Sequence, residues 1–226
     1  MNRGIVIAGV LAAAAVGAIV SVRACAATPA SVSGTEWESG VNYVVLGRPQ
    51  ATSVPRGKIE VAEVFWYGCG HCYALDPALE EWKQKKPAFI EFVRIPVIWG
   101  ETHEQHARLY YTMLALRRGD LHSKIFDSVH KDGNMLAAES NAEARALQLA
   151  FFRKHGVTEA QFNSAYDSAE VAQNVKRAMS LTGRYEVASV PLIIVNGMYS
   201  TSVSQAGSEA NLLSLINDLA AREKGR

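Results

Sequence analysis

The sequence predicts an α/β fold carrying an inserted all-helical subdomain. Two apolar, β-rich runs at 58–67 and 89–97 enclose a stretch of helical spacing. Residues 101 to about 179 show helical periodicity and no strand pattern. β character returns at 190–195, just ahead of an Asn196-Gly197 turn. A strand–helix–strand unit of this length is a right-handed βαβ crossover. A long helical stretch between β segments is better explained as an insertion than as loops. The chain, at 226 residues, has room for one domain of this kind. The expected division is 1–26, 27–98 for the first half of the α/β unit, 99–178 for the insertion and 179–226 for the second half.

Residues 1–26 read as a signal peptide. Met1-Asn2-Arg3 is a positive start, 4–20 is apolar and alanine-rich, and Ala24-Cys25-Ala26 fits a small-x-small cleavage site. Arg23 sits poorly in that site. An uncleaved anchor formed by 4–20 is the alternative, although its 17 residues are short for a spanning helix. Lipidation of Cys25 is disfavoured by the arginine at 23. All three outcomes export the body of the chain. Net charge is +1, and with Arg3 and Arg23 removed the 21 bases face 22 acids. No basic patch points to nucleic acid, and no like-charge block points to a disordered tail.

Residues 28–56 form a polar lead-in with a short strand at 43–46. The run at 58–67 contains Val61, Val64, Phe65 and Trp66, as expected of a strand buried on both faces. A helix follows over 70–86 with Leu75, Leu79 and Trp82 on one stripe, and Pro87 ends it. Pro77 lies inside and is expected to kink or split it. Within the insertion, helices are expected over 105–116, 121–130, 141–155, 158–166 (capped by Thr158) and from Ser168 to near Gly183. The strand at 190–195 pairs through Asn196-Gly197 with 198–203, and a helix over 209–222 closes the chain.

The chemistry gathers at Phe65-Trp66-Tyr67-Gly68-Cys69-Gly70-His71-Cys72-Tyr73, where the strand gives way to the helix. A thiol there lies at the positive end of the helix dipole, among unpaired N–H groups, and its thiolate is favoured. Cys69 is the expected nucleophile, with His71 adding to its stabilisation. Cys72, one turn in, is the expected resolving thiol, attacking the sulfur of Cys69 in a mixed disulfide. A favoured thiolate stabilises the reduced form and makes the disulfide a donor. Once Cys25 is cleaved off, a single Cys-x-x-Cys is no disulfide scaffold. It is no zinc site either, since a second cysteine pair is absent and the metalloprotease spacing is not met by His103-Glu104-Gln105-His106. No metal and no cofactor beyond the Cys69–Cys72 pair are expected. His122, His130 and His155 read as ordinary surface histidines.

Glu63 is an acid in an apolar strand, on the face shared by Val61 and Phe65. It is either a proton relay to Cys72 with a raised pKa, or a partner for Arg94 on the neighbouring strand. Asp76, one turn after Cys72, reads as a solvated helix carboxylate. Val190-Pro191 opens a strand; a cis bond there would turn the backbone sharply toward the sulfur, and Val190 would pair with an extended substrate peptide. Trp66, Tyr67 and Tyr73 are candidates for that surface, with core packing the better account of Trp66.

Three segments together resemble the DsbA family of the thioredoxin-like superfamily. They are Trp37-Glu38-Ser39-Gly40-Val41-Asn42-Tyr43, the Glu63–Tyr73 stretch, and Val190-Pro191-Leu192-Ile193-Ile194-Val195-Asn196-Gly197-Met198-Tyr199. The resemblance covers nearly all of the chain after the leader. It implies a thioredoxin fold with the family's helical insertion. It also implies that Cys69 is the nucleophile, Cys72 the resolving cysteine, His71 the thiolate-stabilising histidine, Glu63 the buried acid and Pro191 the cis-proline, with Asp76 at the position of an acid near the site. Val190, Pro191 and Gly70 are the residues expected to face substrate. The chain departs from the family at Gly70, where many members carry proline. Cys-Gly-His-Cys is also the pair of eukaryotic disulfide isomerases, whose poise is less oxidising.

The expectation is a monomeric, periplasmic thiol:disulfide oxidoreductase. It would donate its disulfide to reduced, unfolded exported polypeptides and be reoxidised by a DsbB-type membrane quinone reductase, a partner implied by resemblance alone. A disulfide isomerase or reductase on the same fold is the alternative enzyme, although 28–58 is too short for a dimerisation domain. A peptide-binding chaperone module is the non-enzymatic alternative.

Overall fold

The structure is a computed structural model that describes Met1 and residues 36–226. The leader, its cleavage site, Cys25 and the start of the lead-in fall outside the described residues.

A five-stranded mixed sheet forms the centre, in the order β1-β5-β4-β2-β3. β2 (Ile59–Phe65) is its core strand, and all seven of its residues are buried. It runs parallel to β3 (Ile90–Pro96) and antiparallel to β4 (Leu192–Val195). β4 turns into β5 (Tyr199–Thr201), which pairs with β1 (Val44–Val45) at the edge. Asn196 and Gly197 both have positive φ, 51° and 64°, as a type I′ hairpin requires. A side chain at Gly197 would collide with the Gln50 carbonyl, so the lead-in packs tightly on this turn.

Alternation along β2 assigns its two faces. Val61 packs with Leu75, Leu79 and Trp82 of α1 (Gly70–Lys85) and with Leu212, Leu215 and Ile216 of the closing helix α8 (Glu209–Lys224). Ala62 and Val64 point the other way, onto Val175, Ala178 and Leu181 of α6 (Ala169–Arg184). Phe65 and Tyr67 continue into a third cluster built largely by the helical insertion.

That insertion comprises α2 (Glu101–Ala115), a 3-10 turn at Gly119–Leu121, α3 (His122–His130), α4 (Asn141–Lys154), α5 (Glu159–Tyr166) and α6. Thr158 caps α5 in a full capping box with Gln161, and Ser168 caps α6. α2 begins four residues earlier than the expected 105, because Glu101 and Glu104 suit the positive end of a helix. A short helix, α7 (Val203–Ala206), stands where the strand was expected to continue; Ser202 caps it.

Pro77 does not split its helix. α1 runs unbroken from Gly70 to Lys85. Pro77 is exposed, while Cys72, Leu75, Asp76, Leu79 and Trp82 are buried around it. One hydrogen bond lost on the solvent side is outweighed by an apolar face that anchors both halves, at about 1.5–3 kcal/mol per large buried side chain.

Candidate active site

The turn from β2 into α1 is tight. Cys69 N–H donates to the Trp66 carbonyl at 3.0 Å. The Trp66 ring lies over Gly68, where any Cβ would collide with it. Cys69 is the N-cap of α1 with an extended backbone (φ −88°, ψ 116°), and its carbonyl accepts from Tyr73 N–H at 3.0 Å. Its side chain is therefore held at the helix N-terminus. Cys69 is half-buried, Cys72 is fully buried, and both are free thiols.

The two sulfurs differ sharply in acidity. The Cys69 thiol is lowered to about 5. The largest cause is a hydrogen bond from the Cys72 side chain; the backbone N–H groups of Cys72 and His71 and the charge of His71 add to it, against a desolvation penalty. Cys72 moves the other way. Donating to Cys69 holds its proton, and burial and the nearby Glu63 charge reinforce that. A neutral Cys69 S–H also reaches the Val190 carbonyl at 3.4 Å. After ionisation that contact disappears, and the sulfur only accepts.

The Val190–Pro191 peptide is cis, and its loop abuts the sulfur of Cys69. Beside it lies a mainly apolar groove of about 400 Å³, bounded by His71, Leu75, Val190, Pro191 and Val203, with Glu209 at its rim. His71 is exposed at one wall. Gly70 is the first helical residue, and a Cβ there would meet nothing within 4 Å.

Beneath the pair, Glu63 is the partner of Arg94 on the neighbouring strand and also has a raised pKa. It is 1% exposed and accepts from Arg94 Nε at 2.7 Å. Burial raises its carboxyl pKa despite the pull of Arg94. Its second oxygen, Oε1, is buried without a hydrogen bond. The same guanidinium donates to Asp76 at 2.8 Å and to Glu80 at 2.7 Å. Asp76 is not the solvated carboxylate expected from the sequence. It is 3% exposed and also accepts from Ser123 Oγ at 2.6 Å. Burial alone would raise its pKa; His122, Arg94 and Ser123 together bring it below the usual value.

Three histidines, His122, His130 and His155, also depart from the surface role expected of them, because apolar faces of the insertion bury them or pack on them. His122 is 3% exposed, bonded through Nδ1 to the Tyr67 hydroxyl at 2.8 Å, with Nε2 a long 3.4 Å from Asp76. Burial, then the Arg94 charge, push it down to about 4, so it is neutral at neutral pH. His130 is half-buried against Tyr67 and Tyr73. His155 packs on Phe151 and bonds its carbonyl. His106 is 1% exposed and bonds the Met135 carbonyl, while His103 packs at a tilt on Trp66. Tyr67 is wholly buried and cannot line a substrate surface; Trp66 and Tyr73 are partly exposed. One signal was available for His122: with Ile125, Phe126 and Val129 it falls on the i, i+3, i+4, i+7 stripe of α3.

The chain is similar to known proteins over most of its length. It is 35% identical over 191 residues to the thiol:disulfide interchange protein DsbA of Pseudomonas aeruginosa, covering 84% of this chain and 87% of that one. It is 35% identical over 196 residues to the protein of the same name from Azotobacter vinelandii, covering 86% and 88%. The crystal structure of Pseudomonas aeruginosa DsbA superposes with a TM-score of 0.76 at 34% identity, over 84% of this chain and 95% of that one. No family model matches the chain.

Proposed function

The chain belongs to the DsbA family of thiol:disulfide interchange proteins and is a thiol:disulfide oxidoreductase, and we propose that it donates a Cys69–Cys72 disulfide to reduced exported polypeptides. The observation that carries this is the asymmetry of the pair. Cys69 is half-exposed and carries the interactions that lower its pKa, while Cys72 is buried and holds its proton.

In the forward direction a substrate thiolate attacks Sγ of Cys69 in the disulfide. The Cys69–Cys72 bond breaks, and the Cys72 sulfur leaves with the electron pair and takes up a proton. Glu63 supplies that proton, consistent with its raised pKa and its unpaired oxygen. A second substrate thiolate then attacks the substrate sulfur of the mixed disulfide, and Cys69 departs as thiolate. Two electrons pass from the substrate dithiol to the pair. A low Cys69 pKa makes it a good leaving group. In an abortive complex Cys72 attacks Cys69 instead and frees the substrate. The extended peptide pairs with the Val190 backbone, with the groove beside Pro191 taking its side chains.

No cofactor enters, because the sulfur pair is itself the redox group. Residues 1–26 deliver the body to the periplasm, where disulfides persist; an inner-membrane anchor at 4–20 is the alternative. Among the described residues no helix is long and apolar enough to cross a membrane. The protein acts as a monomer, and a DsbB-type membrane quinone reductase takes the two electrons back. Replacement of Cys69 by serine abolishes oxidation of a reduced model polypeptide, and Cys72→Ala accumulates mixed disulfides on Cys69. A Cys72→Ala protein that captures no substrate in exported fractions refutes the relay. Activity that survives Cys69→Ser points to the chaperone alternative.

A further inference from the structure

His130 ends α3 and lies against the redox turn. Its Nε2 is 2.8 Å from the Tyr67 carbonyl oxygen. A carbonyl only accepts, so Nε2 carries the hydrogen and donates. The imidazole also stacks on the Tyr73 ring, with centroids 4.7 Å apart and planes 6° from parallel. Tyr67 stands two residues before Cys69, and Tyr73 directly follows Cys72. One side chain from the helical insertion therefore grips the chain on both sides of the pair.

The grip is itself braced. Tyr73 donates its hydroxyl to Asp127 at 2.9 Å, and Asp127 pairs with Lys131 at 2.9 Å. Both residues flank His130 on or just after α3. Phe126, one turn back on α3, packs on both Tyr67 and Tyr73. On the other side, the turn through Gly68 is held by the Cys69 N–H bond to Trp66 and by the Trp66 ring lying over Gly68.

We propose that His130 is a positioning residue of the redox reaction: it holds the Tyr67–Gly68–Cys69 turn so that the Cys69 sulfur stays seated on the N–H groups of His71 and Cys72 and on the Cys72 thiol, and so biases the pair toward its reduced form. The insertion thus tunes the redox centre through backbone placement rather than through charge. The direction of the bias rests on the reading of Cys69 as the nucleophile of a disulfide donor.

Two variants of the full protein separate the parts of the grip. His130→Phe keeps a ring against Tyr73 and loses the donor. His130→Gln keeps an N–H donor for the Tyr67 carbonyl. Two quantities are read on each: titration of the Cys69 thiolate by ultraviolet absorbance, and the equilibrium of the pair with glutathione. In His130→Phe the thiolate titration moves up by a few tenths to about one pH unit, and the equilibrium shifts toward the disulfide form by roughly 2- to 10-fold, the size of one ordinary hydrogen bond. His130→Gln restores most of both. A folded His130→Phe protein with both quantities at wild-type values overturns the proposal, as does a glutamine variant that restores nothing. A merely structural histidine would lower the melting temperature and leave both quantities in place. Should His130→Phe not fold, the wild-type protein still decides the matter by nitrogen NMR. The His130 Nε2 signal must be protonated and must change between the oxidised and reduced forms, and a signal unmoved by redox state overturns the proposal. An ordinary Cys69 pKa in the wild type would instead refute the disulfide-donor function, whatever His130 does.

Discussion

Glu63 and Arg94 stand directly opposite one another on the parallel strands β2 and β3, joined by a 2.7 Å bond from Nε to Oε2. The register does more than pair two charges. It plants one guanidinium where three carboxylates, Glu63, Asp76 and Glu80, all reach it. Arg94 therefore carries the electrostatic compensation for the floor of the site.

Replacing Arg94 by methionine keeps the stem and removes the cation. Glu63 and Asp76 are left buried without it, so the expected loss is about 3–5 kcal/mol of unfolding free energy at neutral pH. The pH dependence has a defined sign. Asp76 and Glu80 have depressed pKa values, so their contribution is present above the unfolded carboxylate range and lost as pH falls through the folded values. Glu63 is raised and acts oppositely, favouring the fold in acid and less so as pH rises. Without Arg94 all three acids shift upward. Denaturant midpoints of variant and wild type should then converge on acidification and diverge toward neutrality. Equal midpoints at neutral pH would show that Arg94 is not the compensating charge.

The Cys69 thiolate sets a second expectation. Reduction of the disulfide takes two electrons. Below a Cys69 pKa of about 5 it also takes two protons, and above that value only one. Each proton changes the equilibrium tenfold per pH unit, or about 30 mV for a two-electron couple. The potential of the pair should therefore fall by about 59 mV per pH unit in acid and by about 30 mV per unit above the break. In stability terms the folded thiol lies below its unfolded value of about 8.5. The extra stability of the reduced protein is complete above that value and drains away as pH falls toward about 5. Glutathione equilibria at a series of pH values measure the slope directly. A single steep slope continuing to neutral pH would mean that Cys69 is an ordinary thiol.

Much of the framework was legible in the chain itself. The run Val61–Phe65 is apolar on both faces apart from Glu63, so a central strand is the natural outcome. Asn196-Gly197 specifies its turn because both residues tolerate positive φ. The sulfur pair announces its own place, since the strand ends and the helix begins on it. What stayed hidden was the fate of polar residues. Asp76 and His122 look like surface residues until Arg94, Ser123 and the Tyr67 hydroxyl are brought beside them by the tertiary fold. His130 pairs with a backbone carbonyl, and a carbonyl leaves no trace in a side-chain pattern. The unbroken helix through Pro77 has a related reason: propensity is local, and the buried face that overrides it is not.

Gly70 tests how far the pair can be tuned. It is the first residue of α1, where proline is favoured because its missing N–H has no helical partner. A side chain there meets open space. Cys69, the residue before it, already has the extended backbone that a following proline demands. The N–H groups that favour the Cys69 thiolate come from His71 and Cys72, so Gly70→Pro removes none of them. Proline should therefore raise stability by about 0.4–1 kcal/mol by restricting the unfolded chain. It should also hold those N–H groups in place more rigidly than glycine does. The Cys69 pKa is then expected at or below its present value of about 5, and the glutathione equilibrium should move toward the reduced protein, making the variant the stronger oxidant. Thermal melts and glutathione titrations of the two proteins decide it. A proline variant that is less oxidising than the parent would mean that the dipeptide acts by relaxing the disulfide form rather than by seating the thiolate.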